Sequence, residues 1–396
     1  MQLTLSALAL LALAGLPFVN VAPNRLLSGE PLFFLALIPG SLAAPAVLLL
    51  GLLLVNALAA LGRGASRALA ASVAAASLLA MAGLLWLAGE QARLLAQTAS
   101  PLARTALGGG FWLALLLLGL LVADALQRLR LAPGWRSAVL LAALLGLGGL
   151  VAAGYGNDLS IMKEYANRAD IFAGALARHL QIVLLALLPT LLIGLPLGWA
   201  ARRRVQLGAA LFPALNVIQT IPSIALFGLL MAPLALLAAA WPALGRAGFS
   251  GVGLAPAVIA LVLYSLLPVV RGTLTGLEQV SASVRDAACG LGMGRWPMFW
   301  QVELPLAAPV VLAGVRTAAV QSVGLAAVTA LIGAGGLGAI LFEGLFSSAE
   351  DLVVLAVLPI VLLGVAVDAF FAGLIGLASR RAAGTGAATA ESGAPA

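Results

Sequence analysis

Apolar residues run along this chain in long unbroken stretches, with polar residues gathered in short clusters between them. Leu113 to Ala123 and Leu352 to Ala366 contain no charged residue at all. A membrane strand would instead alternate apolar and polar positions over about 10 residues. Continuous runs of about 20 residues fit helices that cross a hydrocarbon core of about 30 Å, where the backbone has to satisfy its own hydrogen bonds. The pattern predicts spans near residues 2–21, 44–61, 68–87, 107–126 and 137–153, and again near 176–200, 211–239, 253–274, 306–331 and 353–377. The expected fold is all-α, a polytopic membrane protein of about ten transmembrane helices. The first stretch, Gln2 to Val21, lacks the basic start of a signal peptide and is expected to be a span.

Two polar interruptions organise these runs. Tyr155 to Asp170 holds Asp158, Lys163, Glu164, Arg168 and Asp170. It is expected to be an outward-facing (periplasmic) loop, 155–170, separating an N-terminal five-span region, 1–154, from a C-terminal five-helix membrane domain, 171–381. The second interruption, 278–305, lies inside that domain. It combines Arg285, Asp286 and Arg295 with the rings of Trp296, Phe299 and Trp300. The Gly-, Ala- and Ser-rich tail, 382–396, is expected to be disordered.

Composition agrees with the pattern. Of 396 residues 63% are hydrophobic and 9% charged, with a mean hydropathy of +1.14. A soluble domain carries about 25% charged residues. The net charge of +7 points to no nucleic acid here, because arginines at cytoplasmic helix ends account for it. Arg63 and Arg67, Arg128 with Arg130 and Arg136, Arg202 to Arg204, Arg285 with Arg295, and Arg380 with Arg381 fall on one side of a ten-span arrangement. The opposite side is poorer in basic residues. The richer side is expected to be cytoplasmic, which places both termini and the 278–305 loop there. One cysteine, Cys289, and one histidine, His179, leave no ligand set for a His/Cys metal site and no intrachain disulfide. No cofactor is expected.

Within the 278–305 loop, Asp286-Ala287-Ala288 is followed after three residues by Gly292, after nine more by Val302, and after one more by Leu304-Pro305. Ala287 and Ala288 offer a smooth surface for another protein. Gly292 can take a positive φ and turn the chain. Pro305 can restart a helix where its missing N–H does no harm. As a physical pattern alone this is also an interfacial loop with aromatic anchors. The spacing resembles the "EAA" coupling loop of binding-protein-dependent ABC importer permeases, with Asp286 in place of glutamate and Val302 in place of isoleucine. Ile218 to Ser223, Tyr264 to Pro268, Ala313 to Thr317 and Ile332 to Gly338 resemble the osmoprotectant (glycine betaine/choline) uptake branch. This resemblance covers roughly His179 to Arg380, and the first five spans stand as an N-terminal extension.

The resemblance implies a division of labour. A second permease subunit, the same chain or a different one, would complete the pore within the membrane lipid. A dimer of cytoplasmic ABC ATPases would receive the loops through Asp286, Ala287, Ala288, Gly292, Val302, Leu304 and Pro305. A periplasmic substrate-binding protein would deliver the solute. ATP chemistry would lie on the partner, in keeping with the lack of a G-x-x-x-x-G-K-[ST] pattern in this chain. The chain is then not itself an enzyme.

Gln219, Pro222, Tyr264 and Arg316 are candidates for the translocation path, with Trp199 and Phe227 as further rings able to meet a quaternary amine by cation–π attraction. Ionisable residues inside spans are costly and often functional. Arg316 and Asp368 are the two expected to pair or to line the path. An ion-coupled secondary transporter built on that pair would be the alternative, and it would call for inverted repeats, which the two halves do not display. A non-transporting membrane scaffold that uses the loop only for docking is the other alternative. Gly333 to Gly338 fits G-x-G-x-x-G but has no acidic residue in Leu355 to Leu363, so it is expected to be a turn or outer gate and not a dinucleotide site.

Overall fold

The computed structural model describes residues 1–24, 29–38, 40–59, 66–98, 100, 102–131, 133–246 and 249–391. Arg25, Arg63 and residues 392–396 of the expected tail lie outside them. The chain divides into two units, Met1–Arg168 and Ala169–Ala396.

The first unit contains α1 (Gln2–Gly15), β1 (Pro17–Ala22), β2 (Glu30–Phe33), α2 (Ala43–Ala59), α3 (Arg67–Thr98), β3 (Arg104–Leu107), α4 (Gly109–Arg128), α5 (Pro133–Ala152) and α6 (Ser160–Asn167). The first expected span is therefore corrected. Its helix is 14 residues long and gives way to a strand at Pro17. Proline cannot donate the helical hydrogen bond there, and the Phe-Val-Asn-Val run that follows suits a pleated strand. The three strands form an antiparallel sheet in the order β2-β1-β3. Phe18 on β1 meets Phe34 edge to face at 5.1 Å and Phe111 of α4 at 6.0 Å. These rings and Leu13, Leu53, Leu84 and Leu118 form the core of the unit.

The 155–170 segment is likewise more ordered than a loop. Its α6 is held to the β3 region by Arg104–Glu164 at 3.6 Å and by the Lys163 ammonium donating to the Ala103 carbonyl at 3.2 Å. Leu159, just before it, bridges to Thr105.

The second unit contains α7 (Ala169–Arg203), α8 (Val205–Thr220), α9 (Ser223–Ala240), α10 (Pro242–Arg246), α11 (Leu254–Glu278), α12 (Ala282–Gly290), α13 (Arg295–Met298), α14 (Leu304–Val328), α15 (Leu337–Phe346) and α16 (Glu350–Glu391). The backbone of α16 continues helical to Glu391, over most of the stretch expected to be disordered. The single span expected over 211–239 is two helices, broken at Ile221-Pro222.

Among the described residues, seven helical segments are long and apolar enough to cross a membrane: 67–98, 109–128, 169–203, 223–240, 254–278, 295–332 and 350–382. The remaining apolar helices, such as α1, α2 and α8, are shorter. The fold is that of a helical, multi-pass membrane protein, with the small sheet as its departure from all-α.

The second unit is centred on α7, α11 and α14, with α16 against α14 and α15. Small residues set this packing. A Cβ at Gly198 would stand 2.6 Å from the Cβ of Thr273, and one at Gly272 would stand 2.8 Å from the Cα of Gly314. Helices in lipid gain little from burying apolar surface, so such close backbone approach is what holds them together. Ser265 and Ser322, both fully buried, add a hydrogen bond of 2.9 Å between α11 and α14.

Candidate functional site

The polar segment between α11 and α14 is a helix, a glycine turn and a tethered return. Ser281 caps α12 by accepting from the Val284 N–H at 3.4 Å. The Arg285 guanidinium donates to the Val280 carbonyl at 2.6 Å and so fixes the helix to the end of the preceding segment. At the far end Met293 N–H donates to Ala288 O at 3.1 Å and Gly292 N–H to Cys289 O at 2.9 Å, with Gly292 at φ 79°. This is a Schellman closure, in which a left-handed residue satisfies the last helical carbonyls. Of α12 only Ala288 is buried, while Asp286, Ala287 and Cys289 are exposed. Leu291 next to them is 79% exposed.

The return runs through α13 and a five-residue π-helical turn, Phe299–Glu303, into α14 with Pro305 in its first turn. Proline costs nothing there because the first helical N–H groups have no partner to lose. Val302, Leu304 and Pro305 are half-buried. Arg202, at the end of α7, donates to the buried carboxylate of Glu303 at 2.7 Å. Beside this pair, Phe299 packs edge to face on Trp199 at 6.1 Å, and the Arg203 guanidinium lies 3.9 Å above the Trp199 ring. The loop is thus free along α12 and fixed where it re-enters the membrane domain. Trp199 belongs to this foot.

A second cluster lies at the break between α8 and α9. Gln219 donates to the backbone carbonyl of Tyr264 on α11, and the Tyr264 hydroxyl donates to the carbonyl of Ile221. Gln321 on α14 reaches Gln219 at 3.4 Å. Pro222 caps the start of α9. Interrupted backbone within a membrane needs partners for its freed polar groups, and Tyr264 supplies one. Its ring is buried, as is Phe227, so neither presents an open face to a cation. Gln219, Pro222 and Tyr264 are brought together, whereas Arg316 bonds to a different partner. Arg316 on α14 makes two hydrogen bonds of 2.6 Å to Asp368 on α16. These side chains are 37% and 45% exposed, which puts the pair outside the packed centre.

The glycine-rich segment forms a turn. Gly333, Gly335 and Gly336 all have positive φ. Arg178 donates to the Ala334 carbonyl at 3.0 Å, and the fully buried His179 donates through Nε2 to the Val323 carbonyl at 3.1 Å. His179 is therefore a core residue that ties α7 to α14 beside this turn. Two contributors were not legible beforehand: Glu303, whose partner is 101 residues away, and Gln321, which carried no motif.

Comparison with known proteins agrees with this geometry. The N-terminal domain of the ABC transporter permease YehY matches residues 1–162. The osmoprotectant import permease protein OsmW of Salmonella typhimurium is 39% identical over 202 residues, 51% of this chain and 89% of that protein. The glycine betaine/carnitine/choline transport system permease protein OpuCB of Bacillus subtilis is 34% identical over 48% of this chain and 80% of its own length. OsmY of Salmonella typhimurium, also an osmoprotectant import permease protein, is 39% identical over 49% and 73% respectively. Residues 180–380, just over half of the chain, match the family described as the inner membrane component of binding-protein-dependent transport systems, and the protein belongs to that family of ABC importer permeases.

Proposed function

We propose that this chain is the permease subunit of an ATP-driven importer for osmoprotectants such as glycine betaine and choline. The observation that carries the reading is the loop from Ser281 to Pro305, an exposed helix closed at Gly292 and tied to α7 by Arg202–Glu303. A surface helix with one anchored foot can receive force from a docked partner and pass it to α7 and α14. Asp286, Ala287, Ala288, Gly292, Val302, Leu304 and Pro305 would form the docking element. The partners would be a dimer of cytoplasmic ABC ATPases, a second permease subunit and an external substrate-binding protein. Both termini and the loop would then be cytoplasmic, 171–381 the permease domain and 155–170 external. Gln219, Pro222 and Tyr264 would shape the path by holding the α8–α9 break. The substrate class follows the printed roles of the relatives above.

Reconstitution tests this. In vesicles holding the permease, its ATPase and its binding protein, ATP is expected to drive uptake of radiolabelled glycine betaine or choline. Replacing exposed Ala287 with Arg is expected to abolish uptake with the subunit still folded, because bulk and charge would occupy the docking face. Uptake driven by an ion gradient without any ATPase would overturn the reading and favour a secondary transporter, for which Arg316–Asp368 is the specific observation. Arg316 would then be a coupling charge.

A further inference from the structure

The first unit contains a cleft of about 400 Å³, wholly within the 1–162 region and separate from every residue placed in the permease function above. Pockets for small molecules have volumes of about 300–1,000 Å³. Trp86, Glu90 and Arg93, all on α3, form one side of the cleft, and Tyr155 and Asp158, from the turn before α6, form the other. The turn itself is shaped for this. Gly154 and Gly156, on either side of Tyr155, have φ of 88° and 104°, values that side chains rarely adopt. Gly156 comes so near α3 that a Cβ on Gly89 would be 2.9 Å from its backbone nitrogen. The two glycines let the turn seat directly on the helix, with Tyr155, 45% exposed, beside the opening.

The charges decide what fits. Glu90 and Arg93 neutralise one another in a two-bond pair, with Nε donating to Oε2 at 2.9 Å. Asp158, which also lines the cleft, leaves it with one net negative charge. Trp86 and Tyr155 line it with an indole and a phenol, rings whose faces attract a cation through the quadrupole. With Glu90 and Arg93 satisfied by one another, Asp158 is the lining charge outside that pair, and it favours a cation over an anion or an uncharged ligand. We infer that this cleft is a binding site for a small organic cation of the quaternary-ammonium class, held between the two rings with Asp158 as counter-ion. It is a second site, distinct from any path through α7–α16, and it depends on the proposed uptake function only for the choice of probe.

Calorimetric titration of the purified, full-length permease in lipid nanodiscs, with no binding protein present, tests the site. The probes are choline and 3,3-dimethyl-1-butanol, which has the same shape without the charge. Choline is expected to bind saturably and the neutral alcohol to bind at least tenfold more weakly. Asp158→Asn is expected to weaken choline at least tenfold. Trp86→Leu and the exposed Tyr155→Leu are each expected to weaken it severalfold. Equal binding of the two probes, no saturable choline binding, or unchanged affinity in Asp158→Asn and Tyr155→Leu would each overturn the assignment. These outcomes are independent of uptake: a chain that imports choline but fails the titration loses only this site, and one that binds choline here but imports nothing loses only the transport reading.

Discussion

Gly272 and Gly314 stand so close that a side chain on either would strike the other's backbone, whereas Asp286, Ala287 and Cys289, which lie between them in the chain, are open to solvent. The first pair belongs to the seam of α7, α11 and α14. The second set belongs to the loop that joins α11 to α14. In the seam, missing side chains bring backbones together, and any added atom needs a whole helix to move. In the loop, one buried alanine and the half-buried Arg285 seat a helix whose other residues are exposed. The seam is tightly packed at these glycines, with little room for an added side chain. Under the proposed function the loop is the part a partner grips, and the Arg202–Glu303 pair ties it to α7.

The largest effect is expected in the seam. Gly272→Leu would place its Cβ 2.8 Å from the Gly314 Cα and 3.3 Å from the Val310 carbonyl. Both neighbours are helical backbone of α14, which cannot turn aside as a side chain could. Overpacking of an ordinary core costs about 1–3 kcal/mol, and a backbone clash exceeds that range. No monodisperse protein is expected on size-exclusion chromatography in detergent. Recovery of a folded variant with normal melting would mean that the seam has slack, and the contrast with the loop would fall.

The two regions also differed in how far the sequence disclosed them. Gly292 and Pro305 act through their own backbone chemistry, one by reaching positive φ and one by lacking an N–H, so their places in a turn and a helix start could be read locally. The break at Ile221-Pro222 was hidden by hydropathy, because both sides of it are equally apolar; Pro222 was the available signal. Strand β1 was hidden in the same way within an apolar run, although Pro17 and the β-branched Val19 and Val21 marked it. Tyr264 stands out in the sequence as a ring, whereas the contact its hydroxyl makes, to a carbonyl 43 residues away, has no local signal. The Glu303 partnership and the Gly272–Gly314 approach depend on which helices become neighbours, which spacing along the chain does not encode. The membrane class and the shape of the loop were thus legible, and the joints between them were not.

The joint is expected to give an intermediate effect. Glu303→Ala leaves the Arg202 guanidinium beside Trp199 and Phe299 without its carboxylate. Removing one partner of a fully buried pair costs about 3–5 kcal/mol. Both side chains here retain some exposure, 19% for Arg202 and 11% for Glu303, and exposed pairs contribute about 0–1 kcal/mol, so about 1–3 kcal/mol is expected. Thermal unfolding in detergent should show a lowered midpoint, and ATP hydrolysis in the assembled transporter should continue with less solute moved per ATP. An unchanged ratio of uptake to hydrolysis would show that the foot of the loop transmits nothing.

The smallest effect is expected from Gly292→Ala, and it separates the two regions most cleanly. Nothing lies within 4 Å of a Cβ built at Gly292, so no clash arises, in contrast to Gly272. What remains is the cost of φ 79° for a residue with a side chain, about 1–2 kcal/mol. That cost falls on the closure made by Gly292 N–H and Met293 N–H, so the last turn of α12 should fray while the seam is untouched. Hydrogen exchange in α12 should accelerate by about 5-fold or more, as 1–2 kcal/mol implies, with the melting midpoint nearly unchanged. Asn tolerates the left-handed region better than Ala, so Gly292→Asn should recover most of the protection. If Gly292→Ala lowered the global midpoint as much as Glu303→Ala, the loop would be part of the rigid body and not a handle attached to it. If exchange alone rises and uptake falls with it, the ordered end of α12 is what the docked partner needs.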